Sequence, residues 1–246
     1  RDRLRSRGLG DVYKRQMLNG LLKPSEGRVF IDGTDINDKG VNLRDIRFKV
    51  GLVMQYPEYQ LFEETVLKDI SFGPANMGLP REEVEERARF AANMVGLNDS
   101  LLEKSPFDLS GGQKRRAAIA GVLAMEPKIL ILDEPTAGLD PAGRDEILFK
   151  IRDMHKRMNL TVLLVSHSME DVAKLADRIL VMNGGHVEMF DTPDKVFCKS
   201  GRLQEIGLNV PQITRVMDRL REAGIDVPGG IYTTGDAYRV LAPMLK

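Results

Sequence analysis

The sequence predicts an α/β fold built on a mostly parallel sheet, with a helical lobe and a small C-terminal appendage. Three observations support this prediction. Apolar strands alternate with helices along most of the chain, the strands are continuously apolar, and a helical stretch at about 75–125 interrupts the alternation. Continuously apolar strands are typical of parallel sheets that are covered on both faces.

The predicted elements follow one another in a regular order. A helix opens after Pro80 with acidic residues in its first turn, which favours a helix N-terminus. A second helix follows Gly112 and ends before Pro127. The remaining predicted helices span 142–158 and 168–175, and the predicted strands span 28–32, 49–54, 128–132, 161–166, 178–182 and 186–190. After Pro193 the pattern changes to short helices with a Gly/Pro-rich tail.

The composition excludes several classes of protein. The chain has 246 residues, of which 42% are hydrophobic and 29% are charged, as in ordinary globular proteins. Lys+Arg and Asp+Glu both number 36, which gives no general reason to expect nucleic acid or an anionic membrane surface as a partner. The single cysteine, Cys198, excludes a disulfide framework and fits a reducing cytoplasm. No apolar run approaches the roughly 18 residues of a membrane-spanning helix.

The segment 1–16 differs from the rest of the chain. It is basic and without apolar periodicity, and it joins abruptly to MLNGLLKPSEG. A targeting arm and a solvated tail are two alternatives. We favour a third, because codons for these residues can be chosen to match a sequencing-library transposon adapter read in frame. We therefore expect residues 1–16 to be non-native and Met17 to be roughly the first native residue.

The segment ILILDEP, at 129–135, carries two adjacent carboxylates at the end of an apolar strand. Burying such groups is costly unless a cation or a hydrogen-bond donor awaits them. Ligands of open α/β sheets bind at the carboxyl ends of the strands. There Asp133 is suited to hold Mg²⁺, and Glu134 to polarise an attacking water as a general base. The alternative is a strand end with exposed acids.

The segment LSGGQKRR, at 109–116, places Ser110, Gly111, Gly112 and Gln113 just before or at the start of a helix. Free N–H groups and the positive end of the helix dipole converge at such a point, which favours anions. Neither glycine has a Cβ to obstruct a phosphate. A Gly-Gly pair before a helix is also a common turn, so the order of the motifs along the chain decides between the two interpretations.

Three further candidates lie at the ends of strands or at the start of a helix. Gln55 follows the strand 49–54 and is suited to coordinate Mg²⁺ or water, and His167 follows the strand 161–166 and is suited to bind a γ-phosphate or the catalytic water. Asp140 ends the segment AGLD before Pro141, where taken alone it is a helix N-cap. A lone histidine at such a place is more often structural. The other two, His155 and His186, are interpreted as structural.

These motifs together resemble the Q-loop, signature, Walker B, D-loop and H-loop of ABC ATPases, in that order. The resemblance covers residues 17 to about 195 and implies a P-loop NTPase-like sheet, a helical signature lobe, ATP and Mg²⁺. It implies roles for Glu134, His167 and Gln55 in catalysis, for Asp133 and Gln55 in metal binding, and for Ser110–Gln113 and Asp140 in nucleotide binding. In the family, the signature segment, here Ser110–Gln113, and the D-loop aspartate, here Asp140, act on the ATP of the partner subunit in a head-to-tail dimer.

Longer stretches are similar to energy-coupling factor transporter ATPases, most of all to the second of their two A-type subunits. These stretches are QYPEYQLFEETVLKDISFGPANMG (55–78), SPFDLSGGQKRRAAIAGVLAMEP (105–127) and VSHSMEDVAKLADRILVMNGG (165–185). The similarity implies a second A-type ATPase, a transmembrane T component, a substrate-binding S component for a vitamin or metal ion, and no nucleic acid. It also implies a peripheral location on the cytoplasmic face of a bacterial cell membrane. The appendage, 196–246, is then a candidate dimerisation region.

The phosphate-binding motif of ABC ATPases, GxxGxGK[ST], does not occur in this sequence. The segment NGLLKPSEG, at 19–27, resembles the stretch that follows that loop, so we expect an N-terminal truncation within the first helix. We therefore expect residues 17–195 to form an ABC domain that lacks its first strands. We expect weak ATP binding and little ATPase activity from a chain with this sequence.

Two other functions stay open at this point. The first is a soluble, non-transport ABC ATPase. ATPases of this kind that act on DNA carry long coiled coils between the Q-loop and the signature. Those that associate with ribosomes usually carry two such domains in one chain. The span from Gln55 to Ser110 is short and has no sustained heptads. The second alternative is a catalytically impaired fragment that binds partners. The transported substrate is not encoded in this chain if the S component selects it.

Overall fold

The computed structural model describes residues 15–245, which divide into two compact units. The first unit ends at Val165 and the second begins at Ser166. Of the predicted non-native segment, residues 1–14 lie outside the described residues. Its last two residues belong to a helical turn at 15–18, which we label α1.

The first unit contains a three-stranded parallel sheet and the helices around it. Its elements are β1 (Phe30–Ile31), β2 (Thr34–Asp35), α2 (Leu43–Lys49), β3 (Val50–Val53), α3 (Val66–Asn76), α4 (Arg81–Met94), α5 (Asp99–Leu102), α6 (Gly111–Leu123), β4 (Ile129–Asp133), α7 (Pro141–Met158) and β5 (Thr161–Val165). Two 3-10 turns span Pro57–Gln60 and Pro106–Asp108. The predicted α/β class with a parallel sheet is confirmed.

The sheet has the order β3-β4-β5, so β4 is its central strand. Val53 pairs with Leu132, and Leu132 pairs with Leu164, which brings the carboxyl ends of the three strands to one edge. Leu132 and its two predecessors on β4 are completely buried, as the uninterrupted apolar run predicts. This sheet edge is where the sequence places its candidate site.

The helices α3 to α6, which lie between β3 and β4 in the sequence, pack against one another. Helix α4 begins directly after Pro80, as predicted, and its exposed side carries two i,i+4 ion pairs, Glu83–Arg87 and Glu85–Arg89. Helix α3 is not predicted by the sequence analysis, because Gly73 and Pro74 are helix breakers. Its N-terminus is capped by a threonine side chain, and tertiary packing supplies the rest of its stability.

The second unit begins with α8 (Met169–Leu175) and an antiparallel hairpin of β6 (Ile179–Asn183) and β7 (His186–Asp191). Four helices and a 3-10 turn follow: α9 (Pro193–Phe197), α10 (Ser200–Glu205), α11 (Gln212–Glu222), α12 (Thr234–Leu241) and Ala242–Leu245. The short helices predicted after Pro193 are therefore present. The predicted domain boundary near residue 195 stays a prediction.

Two small apolar cores hold the second unit together. One contains Val181, Val196, Phe197, Leu203 and Val210. The other contains Met217, Val227 and Ala237, and the buried Thr214 hydroxyl beside it donates to the Ile231 carbonyl at 2.8 Å. Across the described part of the chain, no helix combines the length and the apolar character needed to cross a membrane.

Candidate nucleotide site

The carboxylates predicted at the end of β4 lie at the carboxyl edge of the sheet. Asp133 is the last residue of β4, and its side chain is mostly buried. Glu134 has left-handed backbone geometry, with φ of 48°, and its N–H donates to the Val165 carbonyl at 2.9 Å. This geometry is uncommon for a residue other than glycine and is often found at functional sites.

The Asp133 carboxylate already has a cationic partner in this structure. The Arg15 guanidinium, which is itself buried, donates to Asp133 Oδ1. Sequence reasoning missed this contact, because Arg15 falls in the segment that it set aside. A buried carboxylate needs such a partner, so the pair explains how Asp133 is accommodated.

The donor atoms near Asp133 fit Mg²⁺ in their chemistry. Asp133 supplies a carboxylate, and Gln55, which lies two residues past the end of β3, supplies an amide oxygen at the same sheet edge. Mg²⁺ prefers such hard oxygen ligands and commonly takes one or two from the protein, with water and phosphate completing the shell. The described residues contain no cluster of three or more acidic, His or Cys ligands.

The start of α6 has the properties expected of an anion site. Ser110 is the N-cap, and its Oγ accepts from the Gln113 N–H at 3.3 Å while Gln113 Oε1 accepts from the Ser110 N–H at 2.9 Å. This reciprocal pair is a capping box, so Gln113 has a structural role that the sequence analysis did not predict. Among the described residues, the N–H groups of Gly111 and Gly112 have no acceptor.

The two glycines at the start of α6 are not required by the chain's own structure. Neither Gly111 nor Gly112 has a positive φ, and a Cβ built on either would meet no atom within 4 Å. Neither backbone strain nor internal packing therefore explains a glycine at these positions. Glycine at these positions leaves room for a close approach by a group outside the chain.

Asp140 and His167 are the two remaining candidates from the sequence. Asp140 is the N-cap of α7, and its Oδ1 accepts from the Gly143 N–H at 2.8 Å, so the local interpretation of this residue is correct. His167 follows the end of β5 by two residues, belongs to the second unit and is exposed. Its predicted role at a phosphate stays a prediction.

This combination of a parallel sheet, a carboxylate pair at its edge and an open helix N-terminus defines an ATPase of the ATP-binding cassette class. A family model described as ABC transporter matches residues 15–137, which is half of the chain. A solved structure of cbiO1 from Clostridium perfringens, part of the ABC transporter complex cbiONQ, is 39% identical with a TM-score of 0.73, covering 86% of this chain and 85% of that one. The chain therefore belongs to the ABC transporter family.

The curated relatives define its branch of that family. The energy-coupling factor transporter ATP-binding protein EcfA2 of Caldanaerobacter subterraneus subsp. tengcongensis is 60% identical over 97% of this chain and 84% of its own length. The protein of the same name from Clostridium acetobutylicum is 56% identical, with the same two coverages. This chain is therefore a member of the energy-coupling factor transporter ATP-binding proteins, as the sequence resemblance predicts.

A second solved structure bears on the ligand. The ATP-binding cassette MJ0796, described as a dimer in a post-hydrolysis state with ADP and Pi bound, is 30% identical to this chain. Its TM-score is 0.65, and the match covers 74% of this chain and 80% of that one. That protein binds the products of ATP hydrolysis as a dimer.

Proposed function

We propose that this chain is the ATP-binding subunit of an energy-coupling factor importer, in which ATP hydrolysis drives uptake of a vitamin or metal ion. The observation that carries the proposal is the start of α6, where two glycines that the chain itself does not need present unpaired N–H groups to the solvent. Backbone amides at a helix N-terminus suit the γ-phosphate of ATP. The relatives' names support the same function.

The roles of the site residues follow from their chemistry. Glu134 polarises the attacking water, and Asp133 and Gln55 hold Mg²⁺, which neutralises charge on the phosphates when it is bound. Ser110 to Gln113 and Asp140 act on the ATP of a second A-type subunit in a head-to-tail dimer. The cassette that was solved as a dimer with ADP and Pi supports a dimer. His167 is assigned to the γ-phosphate by the family resemblance alone.

An exposed aromatic surface supports docking to a transmembrane T component. Tyr59 is 85% exposed, and Phe62 and Phe72 are more than half and almost half exposed, with their rings packed edge to face at 5.0 Å. Asp69 fixes this surface, because its Oδ2 accepts from the N–H groups of Phe62 and Glu63. Exposed apolar clusters of this kind mark interaction sites. A T component would in turn hold the substrate-binding S component and place the chain at the cytoplasmic face of the membrane.

The substitution Gly112→Asp tests the proposal in a complex of this chain with an A-type partner and the membrane components. We expect ATPase activity of the complex to fall by about 100-fold, because a carboxylate at the start of α6 repels the phosphate and fills the space around it. Gly112→Asn is the matched control of equal size without charge, and it should lose less. Aspartate in the first turn favours a helix, so the melting temperature should not fall. Unchanged activity in Gly112→Asp would contradict the proposal.

A further inference from the structure

Arg115, on the first turns of α6, is a charged residue in a fully buried position. Its side chain is only 2% exposed. Burying a guanidinium is costly unless each of its donors finds an acceptor, so the contacts of this side chain must account for its place. Arg115 is not among the residues of the candidate nucleotide site.

The hydrogen bonds of Arg115 join three separate segments. Its Nε and Nη2 donate to the two carboxylate oxygens of Glu58, at 3.2 and 2.7 Å, in a bidentate pair. Its Nη1 donates to the carbonyls of Pro135, at 3.1 Å, and Ala137, at 2.5 Å. Its guanidinium also lies 5.9 Å from the centre of the Tyr56 ring. Arg115 thus connects α6 to the segment after β3 and to the loop after β4.

The two segments that Arg115 holds contain unusual backbone geometry. Tyr56, next to Gln55, has φ of 55°, and Glu134, next to Pro135, has φ of 48°. A residue other than glycine keeps such a conformation only when its surroundings enforce it. The bonds of Arg115 to Glu58 and to the Pro135 carbonyl lie within two residues of these positions, so they are placed to enforce both conformations.

We propose that Arg115 is a positioning residue for ATP hydrolysis. This proposal rests on the function proposed above. Together with Glu58 it fixes the start of α6, the backbone around Glu134 and the loop that leads to Asp140 relative to one another. The start of α6 and the loop to Asp140, which face the partner's ATP, are then held in a fixed position relative to the general base Glu134. Lysine cannot replace Arg115, because a single ammonium cannot make a planar bidentate pair and also reach two carbonyls.

Steady-state kinetics of the assembled complex test this proposal. We expect kcat to fall by about tenfold in Arg115→Lys and about 100-fold in Arg115→Gln, with KM for ATP changed by no more than about twofold, because small misplacement of reacting groups acts on the chemical step. Glu58→Gln should resemble Arg115→Gln, and the double variant should be no worse than either. Arg87→Gln is the matched control, since Arg87 also bridges two carboxylates, of Glu83 and Glu126, away from these loops. It should keep wild-type kcat.

Amide hydrogen exchange on the isolated chain gives a readout that a purely stabilising role would not change selectively. In Arg115→Lys and Glu58→Gln, amides of 54–60 and 134–140 should exchange faster, while those of β4 stay unchanged. Uniformly faster exchange, or a kcat loss no larger than in Arg87→Gln, would overturn the positioning role. If the wild-type complex has no ATPase activity, the proposed function fails for a chain with this sequence, and the exchange data still test Arg115. If Arg115→Gln does not fold, Arg115→Lys and Glu58→Gln decide.

Discussion

At the scale of single residues, the pair of Arg15 and Asp133 bears most directly on metal binding. The pair is almost out of solvent, with side-chain exposures of 9% and 14%. Asp133 is the carboxylate proposed to hold Mg²⁺, and a guanidinium on its Oδ1 competes with any second cation. A metal at this carboxylate must therefore displace Arg15 or share the carboxylate against charge repulsion.

Arg15→Ala should therefore increase the affinity of the chain for a divalent cation. With Mn²⁺ as the probe, followed by electron paramagnetic resonance, we expect affinity to rise by about tenfold because the competing positive charge is gone. The double variant Arg15→Ala/Asp133→Asn should lose this gain. Arg157→Ala, which removes the exposed partner of Asp153, is the control. Equal Mn²⁺ binding by wild type and Arg15→Ala would contradict the competition.

Arg115 shows what sequence reasoning can and cannot find at this scale. Arg115, Ile119 and Leu123 are spaced by four residues and are all buried, so the helical period places the arginine on the inner face of α6. That signal is visible in the sequence. The identity of its partner is not, because Glu58 lies 57 residues earlier in the chain.

At the scale of elements, the contact between α3 and α6 depends on a glycine. A Cβ on Gly73 would lie 2.7 Å from Met125 Cγ and 3.2 Å from the Gly121 carbonyl oxygen. A side chain at this position would therefore require Met125 to move and the two helix backbones to separate slightly. The same packing explains why α3 forms despite Gly73 and Pro74, since tertiary contacts outweigh weak helix propensity.

Gly73→Ala should destabilise the first unit by about 1–3 kcal/mol, because the added methyl forces Met125 or the α6 backbone to move. Urea denaturation followed by circular dichroism measures the change. Gly235→Ala is the matched control: its Cβ would meet no atom within 4 Å, so alanine should be neutral or stabilise α12 by up to about 1 kcal/mol. A Gly73→Ala variant as stable as Gly235→Ala would show that α3 and α6 are not tightly packed.

At the scale of the whole molecule, the sheet has an open side at β5. The strand is apolar after Thr161, yet none of its residues is fully buried, whereas the centre of β4 is. In the described part of the chain, no strand pairs with the outer edge of β5. Parallel strands of this composition are normally covered.

The isolated chain should bind ATP weakly, because its sequence contains no GxxGxGK[ST] loop to surround the phosphates with backbone amides. Isothermal titration calorimetry with ATP and Mg²⁺ measures this, and the cassette MJ0796, solved with ADP and Pi, is the positive control. We expect no saturable binding at concentrations that saturate the control. Stoichiometric, tight binding by the isolated chain would refute the expectation.

The sequence by itself determined the three parallel strands, the helices α4, α6, α7 and α8, and the place of Asp133, Glu134 and the start of α6. These depend on local signals: the apolar period of a strand, a capping residue, or a glycine pair before a helix. Only the tertiary structure decided which charges meet. Asp133 pairs with Arg15 across 118 residues of sequence, and Glu58 with Arg115 across 57. Such contacts have no local signature, because burial and packing select the partner after the elements have formed.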